Sequence, residues 1–432
     1  MKVCVLGLWH LGTVTAACLA EGGHQVMGLD FEAKTVENLQ AGHAPIFEPG
    51  LEELIQKGLT EGRLGFSSDP AQAASGAEVV WVAYDTPVDE EDRAEVDFVL
   101  QRIRRVFPYI TPGTLIFINS QLPAGTTRSL EREHMDLFPQ RPVAFAYSPE
   151  NLRLGRAIEV FTRPDRVVVG LRRDADRPRV MDLFRPFTRN MEWMSVESAE
   201  MTKHALNAFL ATSVAFINEI ASLCERVGAD AKEVERALKS DTRIGPRAYL
   251  SPGSAFSGGT LARDLRFLTH LGNVHQSPLL LLSAVIASNE THKHWTRRAL
   301  QSLLGDLRNQ KVTVWGLTYK AGTDTLRRSV AVELCEWLYQ AGAKVRAHDP
   351  AIKGLPPALK EKVSFFPTPL GSLSGSAALV VATEWPEFRD VTAEAALHVM
   401  ETPLVIDPSR FLASTLGADS RVSYYTVGKA PI

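Results

Sequence analysis

A glycine-containing turn near the start of the chain has the residue types of a dinucleotide-binding site. An apolar run at residues 2–6 leads into the stretch GLWHLG at residues 7–12, and the next apolar run ends in Asp30. In such a turn the first glycine permits the tight bend, the last allows the helix to pack closely, and backbone N–H groups bind a pyrophosphate. An acid at the position of Asp30 accepts hydrogen bonds from ribose hydroxyls and repels the 2′-phosphate of NADP. The pattern predicts an NAD site that includes Gly7, His10, Leu11, Gly12 and Asp30.

Two features of this turn leave alternatives open. A turn of this kind also occurs before helices that bind nothing, and it is the position of Asp30 that favours NAD. The middle glycine of the usual pattern is replaced by Trp9, whose bulk leaves open where the pyrophosphate sits.

A lysine and an asparagine in the middle of the chain form a second candidate site. Apolar residues recur with a helical period over residues 198–227, so Lys203 and Asn207 lie one turn apart on one face of a helix. A lysine that enters a nearly uncharged helix can stabilise a developing alkoxide or act as a base with a lowered pKa. A solvated lysine at the start of the helix is the alternative.

The elements that position these residues alternate between strand and helix in the first part of the chain. Helical patterns separate most of the predicted strands, and this alternation is typical of a parallel, doubly wound α/β sheet. The predicted strands are residues 2–6, 25–29, 78–82, 115–119, 143–146 and 166–169.

In the rest of the chain the pattern of predicted secondary structure changes twice. Helical patterns fill residues 198–227, 230–240 and 277–303, with a Pro/Gly-rich loop at 244–259, and the α/β rhythm restarts at Lys311. The fold class predicted is α/β, with two Rossmann-like domains joined by a central helical domain. The predicted domains are an NAD-binding domain at 1–195, a helical, dimer-forming domain at 196–305 and a Rossmann-like nucleotide-sugar domain at 306–432.

Composition narrows the class of protein. The chain has 432 residues, 45% hydrophobic and 22% charged, with a net charge of −3, so it has no basic field for nucleic acid. Its four cysteines are scattered without metal-ligand spacing and indicate reduced thiols in a cytoplasmic protein. The apolar segment at residues 204–218 is too short and too polar to cross a bilayer, and predicts a buried core helix; neither membrane nor metal is expected.

Six segments, in order, resemble the UDP-glucose/GDP-mannose dehydrogenase family across nearly the whole chain. The first three are AGHAPIFEPGLEELI (41–55), AYDTPVDEEDRAEVD (83–97) and NSQLPAGTT (119–127). The others are SPENLRLGRAIEVFTRPDRVVVG (148–170), EMTKHALNAFLATSVAFINEIA (200–221) and GLTYKAGTDTLRRS (316–329). The resemblance implies an NAD-dependent enzyme that oxidises the C6 hydroxyl of a nucleotide sugar to a carboxylate in two steps, through a thioester on a cysteine.

The chain departs from the family pattern at residues that the resemblance places in the chemistry. The family's glycine-rich cysteine motif aligns without gaps to residues 253–264, and the cysteine position is Thr260. A second carboxylate of the family is replaced by Leu154, whereas Glu150 and Asp264 are kept. An alcohol is a poor nucleophile without an activating base, so an ester on Thr260 is not expected.

The resemblance also implies which residues form the site. As catalytic residues it implies Lys203, Asn207, Asp264, Thr260 and Glu150, although Asp264 also fits a helix N-terminal acid and Glu150 a cap. To the NAD contacts it adds Thr86, Ser120 and Arg327. As substrate contacts it implies Glu150, Leu152, Lys203, Asn207, Arg243, Tyr249, Gly253, Phe256, Gly258 and Lys320. The family's central helix builds a homodimer, and the uncharged stretch after Lys203 fits that or a monomer core.

Three functions follow. The first is a single two-electron oxidation of the C6 hydroxyl of a UDP- or GDP-hexose. The family residues replaced by Leu154 and Thr260 serve only the second half of the reaction, so the first oxidation is still expected. The second is a four-electron oxidation to the uronate without a thioester, through an aldehyde hydrate held by Asp264. The third is a binding protein that has lost turnover, which Trp9 favours.

Overall fold

The structure is a computed structural model that describes residues 1–87, 95–256 and 259–430. The chain forms two compact units, Met1–Leu206 and Asn207–Ile432. The fold class predicted from the sequence is confirmed: each unit contains a Rossmann-like sheet, and helices lie between them along the chain.

The described residues of the first unit form an eight-stranded sheet in the order β3-β2-β1-β4-β5-β6-β7-β8. Its pairs are parallel except β6 with β7, which is antiparallel. Two of these strands, β3 and β8, were not predicted, since Gly65 and Ser67 in β3 and Glu192 in β8 break up the apolar run. The elements are β1 (Lys2–Leu6), α1 (His10–Glu21), β2 (Gln25–Leu29), α2 (Ala33–Gln40), α3 (Leu51–Thr60), β3 (Leu64–Ser67), α4 (Pro70–Ala74), β4 (Val79–Val82), α5 (Val96–Val106), β5 (Leu115–Ile118), α6 (Thr126–Leu137), β6 (Ala144–Tyr147), α7 (Ala157–Thr162), β7 (Val167–Leu171), α8 (Arg177–Phe184) and β8 (Met191–Met194).

The sheet of the first unit is buried on both faces. The strand residues of β4, β5 and β6 are all buried, as expected for strands covered by helices on two sides. The order of strands reverses between β1 and β4, and ligands of such sheets bind at the carboxyl ends of the strands beside that reversal.

The long helix α9 (Val196–Val227) contains the division between the units. It is long and apolar enough to cross a membrane by length and composition. The prediction of a buried core helix at 204–218 is only half right. Ala211 and Ile217 are buried, whereas Phe209 on the other side of the helix is 70% exposed.

The second unit continues with helices and then a six-stranded sheet in the order β11-β10-β9-β12-β13-β14, with parallel pairs throughout the described strands. The segment predicted as helix at 277–303 is two helices, α12 and α13, separated at His294. The elements are α10 (Ala231–Ser240), α11 (Gly259–Val274), α12 (Leu280–Lys293), α13 (Trp295–Leu304), β9 (Lys311–Trp315), α14 (Val330–Gln340), β10 (Lys344–His348), α15 (Pro357–Lys360), β11 (Val363–Phe365), α16 (Pro369–Leu373), β12 (Ala378–Val381), α17 (Ala393–Val399), β13 (Leu404–Ile406) and β14 (Ser423–Tyr425).

The second sheet repeats a detail of the first. The carboxylate of Asp349, at the end of β10, accepts the N–H of Leu317 at 2.7 Å, as Asp30 at the end of β2 accepts the N–H of Leu8 at 2.8 Å. Both acids tie the turn after one strand to the end of the neighbouring strand. The restart of the α/β rhythm at Lys311 is thus a second Rossmann-like unit in its local geometry as well.

Candidate active site

The glycine turn after β1 requires both of its glycines. Gly7 has φ +92°, and a Cβ there would lie 2.7 Å from the ring of Tyr84. A Cβ on Gly12 would lie 1.6 Å from the carbonyl oxygen of Gly7, so α1 could not start where it does. A side chain at Gly12 would push α1 away from the turn, and one at Gly7 would displace the ring of Tyr84.

Asp30 is buried beside this turn, with its carboxylate bound to the backbone. Its Oδ2 accepts the N–H of Leu8 at 2.8 Å and its Oδ1 accepts the N–H of Glu32 at 3.1 Å. Each carboxylate oxygen has two acceptor sites, so these bonds leave Asp30 the capacity to accept ribose hydroxyls.

Trp9 does not fill the turn. It stands at the N-terminal cap of α1 with an extended backbone, and the residue is 53% exposed. The next residue, His10, pairs through Nε2 with Glu48 at 3.0 Å. Glu48 is buried and also accepts the N–H groups of Gly155 and Ala157, each at 2.8 Å. Trp9 therefore stands largely in solvent, while Glu48 joins the start of α1 to the loop before α7.

The residues at the carboxyl ends of β1, β2, β4 and β5 fit NAD. The N-terminal N–H groups of α1 suit a pyrophosphate, and Asp30 suits a ribose. Ser120 is fully buried, and its Oγ has no hydrogen-bond partner among the described residues. Thr86 lies nearby in the fold, donating its hydroxyl to the carbonyl of Gln121 at 2.7 Å. A buried hydroxyl without a partner is costly, and a bound ligand is one way to satisfy it.

Lys203 is a buried cation near Glu150, both within the first unit. Its Nζ donates to the carbonyl oxygen of Glu150 at 2.5 Å and lies 3.6 Å from the carboxylate of the same residue. Leu152 and Leu154, which follow, are partly buried. The alternative of a solvated lysine is therefore wrong: Lys203 is 8% exposed and fixed in place.

A buried carboxylate of α9 fixes the loop that contains Ser120. Glu200 is fully buried and accepts the N–H of Gly125 at 2.6 Å, the N–H of Thr127 at 2.9 Å and the Thr127 hydroxyl at 2.6 Å. Charge-assisted bonds of this kind are stronger than neutral ones. The loop before α6 is thus tied to the same helix that carries Lys203.

In the second unit, Asn207 and Asp264 form a buried pair. The side-chain amide of Asn207 donates to Asp264 Oδ2, and neither residue is more than 4% exposed. Asp264 lies in the first turns of α11, and Thr260 near the start of this helix is exposed. Asn207 therefore orients a carboxylate that sits one helical turn from the position of Thr260.

Three polar side chains from α9 and α12 hold the loop that leads to α11. Asn218 accepts the N–H of Gly253 at 3.0 Å, and His292 Nε2 donates to the carbonyl of Gly253 at 2.8 Å. Asn289 binds both backbone groups of Phe256, accepting its N–H and donating to its carbonyl, each at 3.0 Å. Burial lowers the pKa of His292, which keeps its ring neutral. The backbone of residues 253–256 is thereby fixed without any regular secondary structure.

A cleft of about 690 Å³ opens in the second unit. Tyr249, Gly253, Phe256 and Lys320 line it, as do five basic residues against two acidic ones. The basic residues are Lys293, Arg297, Lys320, Arg389 and Arg410, and the acidic ones are Glu333 and Glu384. Its size suits a ligand of a few hundred Å³, and its excess of positive charge favours an anionic one.

Three other residues predicted to contact substrate or NAD are not placed in the site by the described part of the structure. Arg243 is exposed, pairs with Asp241 at 2.6 Å and is not among the residues that line the cleft. Arg327 lies exposed in the loop before α14. Gly258 is outside the described residues. These three remain predictions.

Several residues that organise the site have no local signal in the sequence. Glu48, Glu200, Asn218 and Asn289 are buried polar residues whose partners are backbone groups 33 to 109 positions away. A buried carboxylate or amide in an apolar helix is the one available hint, because such a group needs a partner.

All four cysteines are buried free thiols. Burial raises the pKa of Cys4, Cys18 and Cys335 to about 12. Cys224 packs in the hydrophobic cluster of the second unit. A thiol with such a pKa is almost entirely protonated at neutral pH and is a poor nucleophile.

Comparison with known proteins agrees with this arrangement. Residues 1–188 match the NAD-binding domain of the UDP-glucose/GDP-mannose dehydrogenase family, residues 197–291 its central domain, and residues 313–414 its UDP binding domain. The chain is 34% identical over 443 residues to the UDP-glucose 6-dehydrogenase of Pseudomonas aeruginosa, covering 99% of this chain and 98% of that protein. It is 33% identical over 438 residues to that of Rhizobium meliloti, covering 99% and 100%.

Two solved structures of nucleotide-sugar dehydrogenases superpose on this chain along nearly its whole length. A UDP-glucose dehydrogenase from Pyrobaculum islandicum superposes with a TM-score of 0.87 at 29% identity, over 99% of this chain and 98% of that one. A UDP-D-ManNAc dehydrogenase from Pyrococcus horikoshii superposes with a TM-score of 0.86 at 24% identity over the full length of both chains, which supports the fold.

Fold and site together define an NAD-dependent oxidoreductase of the nucleotide-sugar dehydrogenase type. The chain belongs to the UDP-glucose/GDP-mannose dehydrogenase family.

Proposed function

We propose that this enzyme oxidises the C6 hydroxyl of a UDP- or GDP-hexose to the aldehyde and stops there, with one NADH formed per sugar. The observation that carries the proposal is the state of the thiols. Thr260 stands where the resemblance places the family cysteine, and the chain's own four cysteines are buried. A thioester needs a reactive thiolate, so the second oxidation lacks its nucleophile.

The nucleotide is assigned to the cleft of the second unit. Its basic residues suit the diphosphate, with Arg389 and Arg410 able to bind phosphate oxygens in a fork geometry. Tyr249 and Phe256 offer apolar faces to the rest of the ligand. We favour UDP over GDP because the cleft falls largely in the part of the chain that matches the UDP binding domain.

The resemblance to the family implies that the oxidation uses Lys203 of the first unit and the Asn207–Asp264 pair of the second. The cofactor, when bound, would supply the acceptor for the hydride of the carbinol carbon. In the proposal the ammonium of Lys203 stabilises the negative charge that develops on the hydroxyl oxygen. The carboxylate of Asp264, oriented by Asn207, takes the hydroxyl proton, so the products are an aldehyde, NADH and one proton. Glu150 holds Lys203 in position through its backbone carbonyl.

The test combines cofactor stoichiometry with product mass. Purified enzyme is incubated with excess NAD and each of a panel of UDP- and GDP-hexoses, in the presence of a hydroxylamine to trap aldehydes. We expect one NADH per sugar and a product that has lost two hydrogens, recovered as its oxime. Two NADH per sugar and a product that has gained an oxygen would instead support oxidation to the uronate, which the likeness to UDP-glucose 6-dehydrogenases favours. Thermal stabilisation by a nucleotide sugar without any NADH would indicate a binding protein.

We also propose that the enzyme is a cytoplasmic homodimer formed through the exposed side of α9. Phe209, Phe216, Leu223 and Val227 are exposed apolar residues, and the first three are seven positions apart and so form one stripe. A second copy of the chain is the occupant that a single self-complementary stripe suits. Light scattering after gel filtration should give twice the chain mass for the wild type and the chain mass for Phe216→Glu. A monomeric wild type would refute the dimer.

A further inference from the structure

A side chain of the protein occupies one of the backbone donors that the start of α1 offers to a pyrophosphate. Helix α1 begins directly after the glycine turn, and its first N–H groups have no partner within the helix. Its own first turn contains no acidic residue. The N–H of Leu11 is nevertheless bound, because Asp85 Oδ2 accepts it at 3.0 Å. A carboxylate from outside the helix therefore takes the position of an anion at its N-terminus.

The fold brings Asp85 to this position. It follows β4, whose carboxyl end lies beside that of β1 at the reversal of strand order. Burial raises the pKa of Asp85, and the N–H of Leu11 lowers it. Two charged groups act on it from neighbouring elements: His10 from α1 favours its charge, and Glu150 from the loop after β6 opposes it. The location is the one where the pyrophosphate of a dinucleotide binds in sheets of this type.

Asp85 and a pyrophosphate cannot both use the N–H of Leu11, and two anions at one helix N-terminus repel each other. The hydrogen bond between Asp85 and Leu11 is only partly buried and part of Asp85 is exposed, so its side chain can rotate toward solvent when a pyrophosphate takes the N–H of Leu11. A displaceable carboxylate of this kind competes with the cofactor rather than excluding it.

We propose that Asp85 is an internal competitor for the pyrophosphate of NAD and sets the affinity of this enzyme for the cofactor. In the free protein its carboxylate satisfies the N–H of Leu11. Binding of NAD displaces it, and its return assists release of NADH. The inference concerns the first unit alone and holds whichever sugar is oxidised and however many oxidations occur.

The experiment measures binding without a sugar nucleotide. Dissociation constants for NAD, ADP-ribose and adenosine are obtained by calorimetry and by the fluorescence of tryptophans, among which the exposed Trp9 lies in the turn itself. The variants are Asp85→Ala, which removes the competitor, and Asp85→Asn, which keeps an oxygen for Leu11 but removes the charge. Asp136→Ala, which removes an exposed carboxylate in α6, is the control for net charge.

Removal of a like charge a few ångströms from the pyrophosphate should tighten binding of NAD and ADP-ribose about tenfold in Asp85→Ala, with a smaller gain in Asp85→Asn. Adenosine, which has no pyrophosphate, should bind equally to all variants, and Asp136→Ala should match the wild type. Unchanged or weaker binding of NAD by Asp85→Ala would overturn the proposal, as would an equal gain for adenosine. If Asp85→Ala does not fold, as judged by circular dichroism, the result for Asp85→Asn decides in the same way.

Discussion

The side chain of Asn289 offers the sharpest test of how this fold holds its substrate loop. Asn289 is 3% exposed in α12 and binds both the N–H and the carbonyl of Phe256, as a neighbouring strand would. We predict that Asn289→Ala destabilises the second unit and weakens substrate binding while NAD binding is unchanged.

The magnitude follows from the two hydrogen bonds. Each neutral bond contributes about 1 kcal/mol net, and leaving partly buried backbone groups unpaired raises the total loss to about 2–3 kcal/mol. In a unit of this size each kcal/mol lowers the melting temperature by about 2–4 °C, so the expected decrease is about 4–12 °C. Because Phe256 lines the cleft, the freed loop must be ordered again when substrate binds, and we expect KM to rise about tenfold, equivalent to about 1.4 kcal/mol.

The assay is thermal unfolding followed by circular dichroism, together with steady-state kinetics and NAD binding. Asn289→Asp keeps the size of the side chain but places a carboxylate oxygen against the carbonyl of Phe256, so it should be at least as damaging as alanine. Asn273→Ala, at an exposed position of α11, should change stability by less than about 0.5 kcal/mol. A decrease below about 2 °C with an unchanged KM for Asn289→Ala would refute the reasoning.

Three further predictions concern the chemistry. Lys203→Met should lower kcat about hundredfold with little change in NAD affinity, because it removes the cation that stabilises the developing alkoxide in the proposed reaction. A variant with a raised KM and an unchanged kcat would contradict this role. Asp30→Asn keeps an oxygen for the N–H of Leu8 but removes the charge that repels a 2′-phosphate. The preference for NAD over NADP, measured as the ratio of the two dissociation constants, should therefore fall about tenfold or more. An unchanged ratio would show that Asp30 does not discriminate between the two cofactors. The pKa of Cys4, Cys18 and Cys335 is raised to about 12, and Cys224 is buried in a hydrophobic cluster. Iodoacetamide at pH 8 should therefore leave the native enzyme unlabelled and active, because the first three thiols form thiolate only near pH 12 and the fourth is shielded from the reagent. Thr260→Cys should then be labelled at one position by mass spectrometry and, given an aldehyde, should form a thiohemiacetal adduct; rapid labelling of the wild type would contradict the burial argument.

The sequence by itself determined the parts of this protein that depend on local order. The glycines of the turn, Asp30 at the end of β2 and the two α/β stretches follow from hydrophobic periodicity and turn chemistry, and their elements were predicted to within a few residues. Lys203 and Asn207 could be placed on one helical face because a helix repeats every 3.6 residues. The strands β3 and β8 could not be predicted, because Gly65 and Ser67 in β3 and Glu192 in β8 interrupt the apolar run that marks the other short strands, and they become strands only by pairing with a neighbour.

Tertiary structure alone decided which polar residues meet. Asp85 reaches the N–H of Leu11 across 74 positions, Glu200 reaches Gly125 across 75, and Asp264 reaches Asn207 across 57. No periodicity relates such residues, since the pairing depends on strand order and on the path of the loops between elements. The charge next to the glycine turn was also decided by tertiary structure. The sequence predicted a turn that binds a pyrophosphate, but only the pairing of β4 with β1 brings the carboxylate of Asp85 to the N–H of Leu11.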